Sequence, residues 1–204
     1  DRHYPDIREL DNPYLGLLEC VVSSQASLIA KWMGIGFIHG VMNTDNMLIS
    51  GETIDYGPCA FMDFFNSEMV YSSIDRHGRY SYQNQPSIAQ WNLSSFATTL
   101  LGLIDDNEDK SIKLATKIIE GFNNSYNESW LLIFRNKIGL KIERKEDPKL
   151  INEILQIMSD NRSDFTLVFR RLCDLDSELD SSVSQNDSSF TDLFEDKNLI
   201  KLWL

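Results

Sequence analysis

Between residues 14 and 37, Leu18, Val21, Val22, Leu28, Ile29, Trp32 and Met33 recur at steps of three and four. That spacing lines up side chains along one side of an α-helix. Pro13 stands at the start of the pattern, and Gly34 and Gly36 stand at its end, the positions where helices accept these residues. The pattern therefore predicts a long, largely buried helix. From residue 38 the period breaks and Gly, Asn, Thr and Asp take over. Within 38–58, the apolar run Met47-Leu-Ile49, the turn pair Ser50-Gly51 and the β-prone pair Thr53-Ile54 predict a small hairpin between polar loops. Residues 59–90 carry aromatics and turn residues with little periodicity. An irregular stretch of that length in a compact domain suggests a lid or a substrate-facing segment.

Helical spacing returns at Ile88. Trp91, Leu93, Phe96, Leu100 and Leu101 suit one buried helix; Ile112, Ala115, Ile118, Ile119 and Phe122 form a second stripe. Trp130, Leu131, Phe134 and Ile138 form a third. Pro148 precedes a fourth, carrying Ile151, Ile154, Leu155 and Met158. Ser163 is placed to cap a fifth, with Val168, Phe169, Leu172 and Leu175. The serine-rich stretch 181–189 reads as a flexible linker. A last amphipathic helix then carries Phe190, Leu193, Phe194, Leu199 and Trp203. The predicted class is mainly α (α+β), with three parts: residues 1–58 (helix, loop and hairpin), 59–90 (long loop) and 91–204 (helical subdomain). That order of elements matches the C-terminal lobe of a protein-kinase fold.

Composition narrows the partners. The 204 residues are 42% hydrophobic and 25% charged, the profile of a globular chain. A net charge of −12 without a basic stripe argues against nucleic acid. The acidic surplus lies mostly beyond Asp105 and reads as a solvated face. Cys20, Cys59 and Cys173 are odd in number, widely spaced and form no CxxC, which argues for a reducing compartment and for cysteines used as small apolar residues. No apolar run reaches membrane-spanning length. The chain starts at Asp1 and ends on Lys201-Leu-Trp-Leu204, so both ends are expected to lie inside a longer polypeptide.

The chemistry concentrates in one segment: His39-Gly-Val-Met-Asn-Thr-Asp-Asn46, the hairpin, then Asp55-Tyr-Gly57. Protein kinases show His-Arg-Asp, four residues, Asn, a hairpin and Asp-Phe-Gly. His-to-Asn spans seven positions in both, while the hairpin here is shorter. Magnesium, which bridges nucleotide phosphates, takes hard oxygen ligands, few of them from protein. Asn46 offers an amide oxygen and Asp55 a carboxylate, and the hairpin would return the chain so that both face one point. Gly57 is expected to let the backbone turn sharply beyond the metal. One departure matters. The position of the kinase base is Val41, which takes no proton, so the neighbouring carboxylate of Asp45 is the candidate general base. Asp-Tyr-Gly or Asn-Thr-Asp-Asn alone is a weak signal; together, after a long helix and split by a hairpin, they are a stronger one.

The run Gly36-Phe-Ile-His-Gly-Val-Met-Asn-Thr-Asp-Asn-Met47 and the run Thr53-Ile-Asp-Tyr-Gly-Pro58 resemble the signature of the selenoprotein O family. So do Arg2-His-Tyr-Pro5, Gly78-Arg-Tyr80, Asn84-Gln-Pro86 and Trp91-Asn-Leu93. The resemblance covers roughly residues 2–104. It implies a kinase-like fold, once classed as a pseudokinase, that binds ATP in a flipped orientation and transfers AMP to protein hydroxyls of Ser, Thr or Tyr. It implies Asp45 as proton acceptor, Asn46 and Asp55 as ligands of Mg²⁺ (or Mn²⁺), and Asp55 also against the nucleotide phosphates. It further implies a cytoplasmic location in a bacterium or a mitochondrial one in a eukaryote. The family's glycine-rich loop, ion-pair lysine, phosphate-binding arginines and C-terminal Cys or selenocysteine motif find no counterpart in these residues. The isolated chain is therefore expected to be inactive and to bind ATP weakly.

Other residues carry milder expectations. His39 is expected to prop the loop rather than react. His3 and His77 lack partners at metal spacing, which argues against zinc. Arg76 and Arg79 are expected to be solvated or ion-paired, with phosphate or substrate contact as the alternative. Asn92 is expected to tie its helix to the catalytic loop, and Trp91, Trp130 and Trp203 to lie in the core. Two rival functions remain: a phosphotransferase, against which Val41 argues, and a non-catalytic pseudokinase scaffold.

Overall fold

A computed structural model describes residues 2–175 and 189–204. Helix α1 (Pro13–Gly34) begins where Asn12 Oδ1 accepts the Leu15 N–H at 3.0 Å, with proline at the first turn. Such a cap satisfies one of the N–H groups that a helix start leaves without a partner. The Asn12 amide also donates to the Ile104 carbonyl, so the cap fastens the start of α1 to the end of α2 (Gln85–Ile104). Gly36, in the left-handed region at φ +68°, turns the chain out of α1. β1 (Phe37–Ile38) follows and pairs antiparallel with β2 (Ala60–Phe61), in the register Phe37 to Phe61 and Ile38 to Ala60.

The second and third predicted stripes merge into one helix, α3 (Glu108–Lys137), capped by Asn107 and spanning 30 residues. No proline interrupts residues 108–137, and Gly121 keeps helical backbone within them, so propagation continues from one stripe to the next. α3 lies along α1 closely enough that a Cβ on Gly34 would fall 2.5 Å from Ile133 Cγ2. Any side chain at Gly34 would force Ile133 to shift. α4 (Asp147–Asp160) and α5 (Phe165–Leu172) complete the helical layer, and α6 (Lys197–Trp203) packs back through Trp203 Nε1, which donates to the Leu150 carbonyl. The cap of α5 is Asp164, whose side chain accepts the Leu167 N–H. Ser163 instead donates to the Leu193 carbonyl.

Leu18, Ile29, Ile38, Phe122, Phe134, Ile154, Met158 and Phe165 are fully buried and make one core. Burying each such side chain contributes about 1.5–3 kcal/mol. Some core expectations fail, Leu199 at 44% exposure among them. Trp91 is 54% exposed, on the side of α2 that faces the long loop, and Ile112 is 42% exposed. All three cysteines are free thiols; Cys20 and Cys59 are half-buried and Cys173 is exposed, so none is the fully buried residue expected. Burial, with a smaller effect of Glu19, raises the pKa of Cys20. The serine-rich linker falls almost wholly outside the described residues. Among the described residues no helix is long and apolar enough to cross a membrane. The fold is α+β, mostly helical with one small antiparallel sheet.

Candidate active site

The loop after β1 is built on His39, which is fully buried and stacks on Trp32 with ring centroids 5.4 Å apart. Its Nε2 lies 2.7 Å from the Ile54 carbonyl, and the Val41 N–H points at its Nδ1 at 3.4 Å. A carbonyl only accepts, so Nε2 donates and Nδ1 is the acceptor. His39 thus clamps the loop to the residue just before Asp55, the propping role expected of it. Gln85, at the start of α2, brackets the same strand. Its Oε1 accepts the His39 N–H and its Nε2 donates to the Phe37 carbonyl.

Asn92 reaches from α2 and donates to the Met42 carbonyl at 2.9 Å and towards Met47 Sδ at 2.8 Å, tying helix to loop as expected. Residues Thr44–Asn46 form one 3-10 turn. Within it, Asn46 Nδ2 donates to the Val41 carbonyl at 2.9 Å. The amide orientation is thereby fixed, since only the NH2 end can face a carbonyl. Asn46 Oδ1 is left without a partner among the described residues.

The predicted hairpin is reduced to a single antiparallel bridge, Met47 to Thr53, closed by a turn in which the Gly51 N–H donates to Leu48. Its tip is pressed on α1. Gln25 donates to the Leu48 carbonyl, Trp32 Nε1 to Thr53 Oγ1, and a Cβ on Gly51 would meet Ser24 at 2.8 Å. Tyr4 donates to the Ile49 carbonyl from the N-terminal side. These contacts hold a segment too short to form an independent hairpin.

Asp55 follows with φ +53°, a left-handed backbone that is uncommon outside glycine. The sharp turn thus falls on Asp55 itself and not on Gly57, whose N–H donates to the Asp55 carbonyl at 2.8 Å. Strained backbone of this kind costs of order 1–3 kcal/mol and persists where surrounding contacts impose it, commonly at functional sites. Here the imposing contacts are the His39 clamp on Ile54 and the approach of Pro58 to Gly40, where a Cβ would lie 3.0 Å from Pro58 Cγ. Asp45 and Asp55 are both exposed, and neither carboxylate has a partner among the described residues.

Asn46 is therefore anchored to Val41, and Asp55 is held one residue beyond the His39 contact. Their free oxygens, one amide and one carboxylate, are hard donors that suit Mg²⁺ with most of its shell left to water and phosphate. No group of three or more His, Cys, Asp or Glu side chains among the described residues could hold a metal. That is no obstacle to a cation needing two protein oxygens.

The long loop reaches back to this site. Tyr80 donates to Asn43 Oδ1 at 2.6 Å, two residues before Asp45, and buried Tyr82 donates to the Met33 carbonyl. Burial, with a smaller contribution from Tyr126, holds the Tyr82 phenol well above its ordinary pKa, so it remains a donor. Sequence reasoning missed Tyr80 and Gln85. Both stand in recognised runs, Gly78-Arg-Tyr80 and Asn84-Gln-Pro86, and that was the available signal.

The family model described as "Protein adenylyltransferase SelO" matches residues 1–204. The chain belongs to the SelO family. Proteins named "Protein nucleotidyltransferase YdiU" are its relatives. One from Rhizobium etli is 49% identical over 203 residues, covering 100% of this chain and 40% of the relative. One from Rhizobium rhizogenes is 50% identical over 204 residues, again covering 100% and 40%. One from Anoxybacillus flavithermus is 56% identical over 171 residues, 84% of this chain and 36% of the relative. This SelO-family chain thus spans about two fifths of the length of the curated relatives it matches.

Proposed function

We propose that this chain is the kinase-like C-terminal lobe of an ATP-dependent protein adenylyltransferase and supplies its proton acceptor and metal ligands. The observation that supports the reading is that Asn46 Oδ1 and the carboxylates of Asp45 and Asp55, in the segment that His39 clamps at Ile54, all lack partners among the described residues. The family's printed description agrees with it. A bound Mg²⁺ or Mn²⁺ would offset the charge of the triphosphate. The chain's own residues do the rest. Asn46 and Asp55 hold the cation, and the clamp through His39 keeps Asp55 in place. Asp45 accepts the proton of a Ser, Thr or Tyr hydroxyl as its oxygen bonds to the α-phosphorus and the bond to pyrophosphate breaks. Val41, at the position of a kinase base, offers no competing acceptor.

The test uses the full-length protein with ATP labelled at the α or the γ position. The reading expects protein-bound α label and none from γ, with transfer abolished in Asp45→Ala. Protein-bound γ label would instead establish a phosphotransferase. Function that survives Asp45→Ala without transfer would establish a scaffold. Alone, the 204-residue chain is expected to show no turnover, because a kinase-like nucleotide site needs the other lobe; turnover by the isolated chain would overturn that expectation.

A further inference from the structure

The long loop and the start of α2 enclose a groove of about 610 Å³, into which Arg76, His77 and Arg79 project beside Tyr80. Asp75 is the sole acid in that lining, and both its carboxylate oxygens accept loop N–H groups, from Arg79 at 2.9 Å and Tyr80 at 2.8 Å. The groove thus carries two permanent cations against one anion already engaged by backbone, in a chain of net charge −12. Neither arginine pairs with Asp75 or with any other acid among the described residues. Other cations of the chain do find acids: Arg135, Arg170, Arg171, Lys110, Lys149 and Lys197 all take one.

Arg79 is nonetheless held in place. Its guanidinium lies 5.0 Å from the Trp91 ring centre and 5.6 Å from that of Tyr80. Cation–π contacts of this kind hold the group near the rings and leave its N–H donors for a carboxylate. It also explains the exposed Trp91: the ring is a platform for Arg79 rather than part of the core. The groove is linked to the catalytic loop, because Tyr80, whose ring lies near Arg79, donates to Asn43 two residues before Asp45.

We propose that this groove docks an acidic segment of the protein substrate, with Arg79 and Arg76 binding Asp or Glu side chains that flank the accepting hydroxyl. The proposal rests on the reading of Asp45 as acceptor for a protein hydroxyl and deepens it by naming the substrate class. It takes up the alternative of substrate contact for these two arginines, which are both exposed.

The test is binding, which needs no turnover. Fluorescein-labelled Ser-containing peptides flanked by Glu, Gln or Lys are titrated with the full-length protein, and anisotropy is read at low and high salt. The Glu peptide is expected to bind roughly 5- to 10-fold more tightly than the Gln peptide, as two surface ion pairs allow, with the difference shrinking at high salt. The charge-reversed variant Arg76→Glu/Arg79→Glu is expected to favour the Lys peptide, a gain that misfolding cannot produce. Equal affinity for Glu and Gln peptides, or a Glu preference that survives charge reversal, overturns the proposal. A Glu preference in a protein that transfers no α label to any acceptor upholds the groove and overturns AMP transfer.

Discussion

Replacing His39 with phenylalanine separates the two jobs of this side chain. The ring stack on Trp32, at 5.4 Å and 29°, survives because phenylalanine fills a similar flat volume. The hydrogen bond from Nε2 to the Ile54 carbonyl, at 2.7 Å, is lost. The Val41 contact at 3.4 Å is near the limit of a hydrogen bond and contributes little. A part-buried carbonyl left without a donor costs about 1–2 kcal/mol. His39→Phe is therefore expected to destabilise the protein by about that amount in urea unfolding of the full-length protein, with an unchanged denaturant slope. His39→Ala also empties the space and is expected to cost about 3 kcal/mol or more. Freeing Ile54 loosens the strained turn at Asp55, so transfer is expected to fall roughly 10- to 100-fold in His39→Phe, as when the support of a ligand is removed. A His39→Phe protein matching the wild type in both stability and transfer would refute the clamp.

Asp45→Ala should abolish transfer while altering stability by no more than about 0.5 kcal/mol, because an exposed carboxylate without partners contributes little to packing; paired unfolding and transfer assays check this. Phe122→Ala should cost about 3–5 kcal/mol in urea unfolding, since this ring is fully buried in α3 and stacks on Tyr126. The Asp105 carboxylate is held below its ordinary pKa by the Lys110 side chain, with help from the Asn107 N–H. A lowered folded-state pKa stabilises above the ordinary carboxylate range and loses that stabilisation as the pH falls through the lowered value. Asp105→Asn should therefore be less stable than the wild type near neutral pH and indistinguishable from it in strong acid, read as urea midpoints across that range.

The long helices were legible because their apolar spacing is set by burial on one side, and α1, α2 and α4 lie close to where Leu18, Leu93 and Ile154 place them. The continuity of α3 was not legible for the same reason: periodicity marks faces, not ends, so its two stripes read as two helices although no proline stands between them. The β1–β2 pair escaped because two-residue strands have no alternation to detect, and its partners at 37 and 61 are distant in sequence. The linking roles of His39 and Asn92 followed from their position beside the loop. Tyr80 and the exposure of Trp91 did not, because each depends on the long loop folding back over α2. The turn assigned to Gly57 fell on Asp55, since the clamp at Ile54 imposes the backbone there despite the side chain.

The central claim is that Asn46 Oδ1 and the Asp55 carboxylate jointly hold the cation that meets the nucleotide. The most direct measurement is a Mn²⁺ titration of the full-length protein, followed by electron paramagnetic resonance in the presence of a non-hydrolysable ATP analogue. The account predicts saturable binding that weakens at least about tenfold in both Asn46→Ala and Asp55→Asn, with each variant folded as the wild type. Wild-type Mn²⁺ affinity in both variants would contradict it.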